Sequence, residues 1–340
     1  MKDREFINRY FTNKSILLDS VTDGDTFLIT GADGFIGRNI VYFIDDVFKI
    51  KGFQSSKIIA VVHNMEKGRH ILGDLDNVEF IEQDVTKEFC FFKNADYIIH
   101  TSGVNDTKKC LDEPETVMAV NVWGTRNLLE YAKRSGAKSV VLISSSSVYG
   151  NTEYEGELLE SERGTIAFDD IRNVYAVSKL NMEFYGGIYL KQFNLPIKIV
   201  RLFHVFGLDM PSNNLITEFI NRALNNENIV IKSNGEQLRN ITYIGDALEA
   251  LFYVMCMGKV GQAYNIGNKN STISIYDLVK KIQKTAVDKT FDVIVKSTQL
   301  AVPSNYLNMV PSIFKIEQLG WSPRISLDEG LSLIFSSRNN

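Results

Sequence analysis

Tyr175 and Lys179 stand four apart in "VYAVSK", a spacing that puts both on one face of a helix. A free tyrosine has a pKa of about 10 and is a poor base at neutral pH. A nearby ammonium and a cationic ring in a partly dry cleft each favour the phenolate. Moving that pKa by about three units takes roughly 4 kcal/mol, which two such cations can supply. The pair then suits removal of a proton from an alcohol and its return. Lys179 can also hydrogen-bond the ribose of a nicotinamide cofactor. Such pairs occur by chance, so the reading depends on company. Ser145 is one companion. It ends the β-branched run of "VVLISSSSVYG" (140–150), and ligands bind at the carboxyl ends of parallel strands. Its hydroxyl can hold a reacting oxygen beside Tyr175. Gly31, Gly34 and Gly37 in "TFLITGADGFIGRNI" are the other companions, placed where a strand turns into a helix. Gly31 allows a tight turn, Gly34 lets backbone N–H groups approach a pyrophosphate, and Gly37 lets the helix pack closely. The positive end of the helix dipole adds to that anion site.

These groups meet only if strands and helices alternate around one sheet. The pattern predicts strands at 25–30, 57–64, 78–85, 95–103, 139–145 and 197–203. It predicts helices at 37–50, 114–136 and 174–193, the second opened by Pro114 and closed at Gly136. Alternation of this kind implies a doubly wound parallel α/β sheet with right-handed crossovers. The later third is less regular, with helices expected at 215–227 and 273–286 and short strands at 228–233 and 291–297. A last helix is expected within 321–338.

Bulk properties narrow the class. At 340 residues the chain exceeds one compact core, so a large domain with a smaller lobe is expected. A net charge of −4 gives no field that draws nucleic acid or anionic lipid. Cys90, Cys110 and Cys256 are scattered and odd in number, which points to no metal site and to a reducing cytoplasm. The polar start reads as no signal peptide, and no apolar run reaches the ~18 residues that span a bilayer. No serine sits in a nucleophile-elbow pattern, which argues against hydrolysis.

The end of the second strand leaves one choice open. A carboxylate commonly holds the adenosine ribose diol there in NAD enzymes. This chain has His63 and Asn64, with Lys67 and Arg69 following. The cations and the missing carboxylate suit NADP; hydrogen bonds from His63 and Asn64 to the diol suit NAD. Asp84, after the third strand, is placed to reach the adenine edge, with Val85 beside it, or equally to cap a helix.

Taken together, "TGADGFIG" (30–37), "ADYIIHTSG" (95–103), "NVWGTRNLLEYAKRSGAKSVVLISSSSVYG" (121–150) and "YAVSK" (175–179) resemble the extended short-chain dehydrogenase/reductases. Within these the likeness is to the NAD-dependent epimerase/dehydratase family that modifies nucleotide sugars. "IVRLFHVFG" (199–207), "NGEQLRNITYIGDALEAL" (234–251) and "AYNIGN" (263–268) extend it over most of the chain. The resemblance implies a Rossmann-type domain for NAD or NADP over 25–203 and 238–270. A nucleotide-sugar lobe would take 204–237 and 271–340, after an N-terminal extension at 1–24. It implies that Asp33, Phe35 and Ile36 join the glycine turn, and that Thr101, Ser102 and Gly103 face the cofactor. Tyr175 would be the acid/base, Lys179 its partner and Ser145 the hydroxyl donor. Arg239 would hold the substrate diphosphate, Tyr149 would shape the cleft floor, and a homodimer built on two long helices is implied.

Two departures matter. His204 stands where many relatives carry Asn, as a structural substitute or as a donor to substrate. Ser146 and Ser147 stand where 4,6-dehydratase relatives carry Asp-Glu; decarboxylase relatives carry Glu at the second position. A serine hydroxyl cannot replace a carboxylate as acid or base at neutral pH. The expectation is therefore 4-epimerisation through a transient 4-keto sugar. Keto-reduction, decarboxylation or 4,6-dehydration are the alternatives, and a non-catalytic nucleotide sensor is disfavoured.

Overall fold

The structure, a computed structural model, is described for residues 2–91, 93–152, 156–208, 210–211, 215–296 and 308–338. The strands in its first half are β1 (Thr26–Thr30), β2 (Lys57–Val62), β3 (Val78–Glu82), β4 (Tyr97–His100) and β5 (Ser139–Ser145). They are followed by β6 (Ile197–Leu202), β7 (His204–Phe206), β8 (Ile229–Ile231) and β9 (Leu238–Tyr243). The last are β10 (Ala263–Ile266), β11 (Thr272–Ser274), β12 (Val293–Val295) and β13 (Asn308–Met309).

Seven of these form one sheet in the order β10-β6-β5-β4-β1-β2-β3, with every neighbouring pair parallel. Strands such as "TFLIT" and "SVVLISS" are apolar nearly throughout because helices cover both faces. Phe27 and Ile29 of β1 enter one core while Leu28 enters the core on the opposite face. The chain reverses its direction of winding between β1 and β4, which opens a crevice at their carboxyl ends. This is the Rossmann-type α/β fold. A second sheet runs β11-β9-β13 with β7 also on β9, and β8 pairs with β12.

Two regions differ from the pattern expected of the sequence. The helix expected over 114–136 is helical at Pro114–Met118 and Gly124–Ser135, with a π turn at Ala119–Trp123 between them. Side chains account for the break. Asn121 bonds both backbone groups of Val104, and the Thr125 hydroxyl takes the Asn121 carbonyl at 2.7 Å. Gly124 also presses on Val85, where an added Cβ would lie 2.9 Å from a methyl. The N-terminal segment is helical at Lys2–Tyr10 and Leu17–Ser20, yet it is more than a surface extension. Ile7, Phe11, Leu17 and Val21 are buried in the same core as Phe27. Arg4 pairs with Asp45 and Asp46 on the helix Phe35–Lys51.

Candidate active site

A cleft of about 730 Å³ lies over the carboxyl ends of β1 to β4. Gly31, Asp33 and Gly34 form one wall, after β1; His63 follows β2, Asp84 and Val85 follow β3, and Thr101, Ser102 and Gly103 follow β4. Gly31 has a φ of +64°, and a Cβ there would meet the Ser102 backbone at 2.9 Å. A Cβ on Gly37 would come within 2.1 Å of the Gly31 carbonyl, so the helix start can sit on the turn only without one. Gly34 is the N-cap of the seventeen-residue helix Phe35–Lys51 and has no side chain to cover its first N–H groups. Phe35 and Ile36 turn their side chains onto the core and present backbone to the turn. A narrow glycine cradle, a helix N-terminus and an elongated cleft fit a dinucleotide.

Two residues at the adenosine end also serve the local backbone. The Asn64 side-chain oxygen accepts the Lys67 N–H at 2.8 Å and caps the helix Met65–Leu72, which leaves its amide NH2 group as the donor for a ribose diol. Asp84 accepts the Thr86 N–H and hydroxyl at 2.9 and 2.8 Å, closing a local turn where a helix cap was the alternative, and it lines the cleft. Burial raises its pKa, but Thr86 and the nearby His63 and Lys87 hold it below the ordinary carboxylate range. Lys67 Nζ lies 3.7 Å from Asp33 across the cleft wall. Trp123, 58% exposed, and Lys109 also line the cleft, and the sequence reading did not single them out.

The tyrosine–lysine helix, Val174–Phe193, stands behind the cleft residues Gly103 and Val104. Val104, on the cleft wall, packs in one small apolar cluster with Tyr175, Val117 and Met118. Lys179 Nζ lies 6.0 Å from the centre of the Tyr175 ring. It is buried and donates to the Ile143 carbonyl of β5 at 2.8 Å. A Cβ on Gly103 would stand 3.4 Å from that ammonium. Burial brings the Lys179 pKa down to about 8, against the opposing pull of Glu183. Ser145 ends β5 and caps the short turn Ser146–Tyr149: its oxygen accepts the Ser147 N–H at 3.2 Å, and the two hydroxyls are 3.2 Å apart. Asn121 donates to the Ser178 hydroxyl at 2.8 Å, and Ser178 donates to the Tyr175 carbonyl. The π turn is thus tied to the start of the catalytic candidate helix.

Beneath these residues lies a buried polar cluster that the sequence reading missed. Glu183, one turn past Lys179, takes the Ser144 hydroxyl at 2.6 Å and two guanidinium bonds from Arg201 at 2.9 and 2.7 Å. Burial disfavours the Arg201 charge, and Glu183 more than offsets it. Arg201 also donates to the Tyr149 hydroxyl, which donates to Asn265 at 2.5 Å. Tyr149 is buried within this cluster, where burial raises its pKa despite Arg201. One signal was available: Arg201 is a guanidinium in the buried strand "IKIVRL", and a group that stays charged at any ordinary pH is buried at least cost beside a carboxylate.

The substrate-side candidates come together on another surface. β5 and β6 pair Ser145 with Leu202, so Ser147 and His204 leave the sheet at the same end. His204 pairs with Ile241 in register, and Arg239 is two residues earlier on β9, so both present one face. Burial, then Arg239, lowers the His204 pKa to about 4, and burial lowers that of Arg239. His204 is thus a neutral imidazole at neutral pH, beside a guanidinium suited to two phosphate oxygens.

Comparison with known proteins bears on the family and the fold. The family model described as NAD dependent epimerase/dehydratase family matches residues 27–267. A dTDP-D-glucose 4,6-dehydratase of Mus musculus is 26% identical over 316 residues, covering 89% of this chain and 86% of its own. UDP-glucuronic acid decarboxylase 1 of Xenopus tropicalis is 28% identical over 340 residues, covering 97% and 75%. Among solved structures, the UDP-glucose 4-epimerase of Thermotoga maritima with UDP-glucose superposes with a TM-score of 0.78 at 23% identity, over 92% of this chain and 98% of that one.

Proposed function

This chain belongs to the NAD dependent epimerase/dehydratase family, and on that premise we propose that it is a nucleotide-sugar 4-epimerase. Tyr175 takes the proton of the sugar 4-hydroxyl while the C4 hydride departs, leaving a 4-keto sugar. The sugar turns over, hydride returns to its other face, and Tyr175 gives the proton back to the new alkoxide. NAD, when bound, supplies the reversible hydride acceptance. Lys179 favours the phenolate by charge, and Ser145 holds the reacting oxygen. Arg239 and His204 face the diphosphate, which assigns the second sheet to the nucleotide sugar. Gly31 to Gly37, with Asp33, hold the pyrophosphate and adenosine.

The observation that carries this choice is the pair Ser146–Ser147 on the turn after Ser145. Elimination of water needs an acid and a base in addition to Tyr175, and serines are neither at neutral pH. The similar dehydratases and decarboxylases make this the decisive point. The test is incubation of the protein with UDP-, GDP-, CDP- and dTDP-sugars and identification of products by NMR and mass spectrometry. The expected product has the mass of its substrate and an inverted C4. A product lighter by water, or release of carbon dioxide, overturns the assignment.

A further inference from the structure

We propose that Glu183 is a positioning residue for the active site: it clamps the serine-bearing strand to the tyrosine–lysine helix and supplies the negative counter-charge beneath the Lys179 ammonium. This rests on the role given above to Lys179. The geometry is that of a clamp. Ser144, the neighbour of Ser145 on β5, donates to one Glu183 oxygen at 2.6 Å. Arg201 on β6 binds both Glu183 oxygens at 2.9 and 2.7 Å. Arg201 continues to Tyr149 and to the Glu160 carbonyl, and the Glu160 side chain takes the Asn265 N–H. One carboxylate on the helix Val174–Phe193 thus joins β5, β6, the turn after β5 and the segment around Glu160.

Its charge has a recipient. Glu183 is four residues after Lys179 on one helix face, so the two are neighbours along the helix. Among the described residues, the other groups around Lys179 are uncharged or cationic. Tyr175 lies on its own helix, the Ile143 carbonyl comes from β5, and Asn121 lies near it across Gly103. His100 of β4 is buried and neutral, and Arg201 of β6 stands behind Glu183. Glu183 is therefore the nearby anion among the described residues. A plain structural salt bridge would hold the strand and helix together without changing the proton affinity of Lys179, so that affinity separates the two roles.

The experiment is a titration of the full-length protein made with ¹³C at lysine Cε, with the Lys179 resonance assigned by its loss in Lys179→Arg. In Glu183→Gln the Lys179 midpoint falls by about half a pH unit or more. Both the lost anion and the unpaired Arg201 push it down. Glu183→Asp, which keeps the charge, brings it back. If the single variant does not fold, Glu183→Gln with Arg201→Gln removes both charges, and the midpoint falls by a smaller amount because Glu183 is the nearer of the two. An unchanged midpoint in a folded variant overturns the proposal. No sugar enters this measurement. A protein that titrates as expected but epimerises no sugar refutes the reaction alone; an active enzyme with an unmoved midpoint refutes the Glu183 role alone.

Discussion

At the scale of single residues, chemistry is legible where a side-chain type is required and a spacing is short. Tyr175 and Lys179 are four apart on a real helix, and the structure adds that the ammonium is buried against Ile143 and Tyr175. Tyr175→Phe keeps the ring and its packing and removes only the proton carrier. Turnover is expected to fall by at least about 10²–10⁴-fold, with NAD affinity by calorimetry almost unchanged. Undiminished turnover contradicts the acid/base role, and parallel loss of NAD binding assigns the residue to the cofactor instead. Asn64 shows why neighbouring residues were harder to read. Its amide suits a ribose diol and a helix N-cap equally well, and only the structure shows that its oxygen caps the helix Met65–Leu72. Glu183 was hidden for the opposite reason. A glutamate on a helix is ordinary until a guanidinium from a distant strand arrives beside it.

At the scale of elements, the long apolar strands and the helices with clear stops were legible, because burial on both faces leaves a continuous apolar run. The strands of the second sheet are only two to six residues long, and they owe their form to pairing across distant segments. The π turn was illegible as well, since it arises from Asn121 and Thr125 bonding to other elements. Thr125 also meets His100 Nε2 at 3.2 Å, and Thr30 meets His100 Nδ1 at 2.7 Å, so the imidazole staples β1 and β4 to the helix beyond the π turn. His100 is 1% exposed, and burial, then Lys179, depresses its pKa to about 3. The unfolded chain takes up this proton near pH 6.5 and the folded chain does not. The folded form's advantage is therefore complete above about pH 6.5 and declines as pH falls towards 3. Between pH 7.5 and pH 5 the expected loss from this residue is about 2 kcal/mol. Denaturant unfolding of the parent and of His100→Asn at both pH values isolates it, since His204 titrates equally in each. The variant should lose about 2 kcal/mol less on acidification; equal losses would show that His100 is not held neutral.

At the scale of the whole molecule, the surface carries an apolar feature that one chain leaves uncovered. The helix Val174–Phe193 is apolar on most sides, which normally means burial all round. It packs beside Gly124–Ser135, with Tyr189 donating to Glu130 and Lys133 lying 4.1 Å from the centre of the Phe193 ring. Its outer face nevertheless presents Phe184 at 73% exposure, with Phe193 also outward. No helix among the described residues is long and apolar enough to cross a membrane. A second copy of the chain is a good candidate for that cover, because an isologous contact sets the same helix pair against itself and buries Phe184 on both sides. The expected mass by light scattering at micromolar concentration is twice the 38.5 kDa of the chain. Phe184→Asp places charge on each side of the contact without touching the cleft, so it should return the mass to that of one chain and leave NAD binding intact. A parent protein that elutes as a single chain, or a Phe184→Asp variant that stays paired, assigns this face to solvent or moves the interface elsewhere.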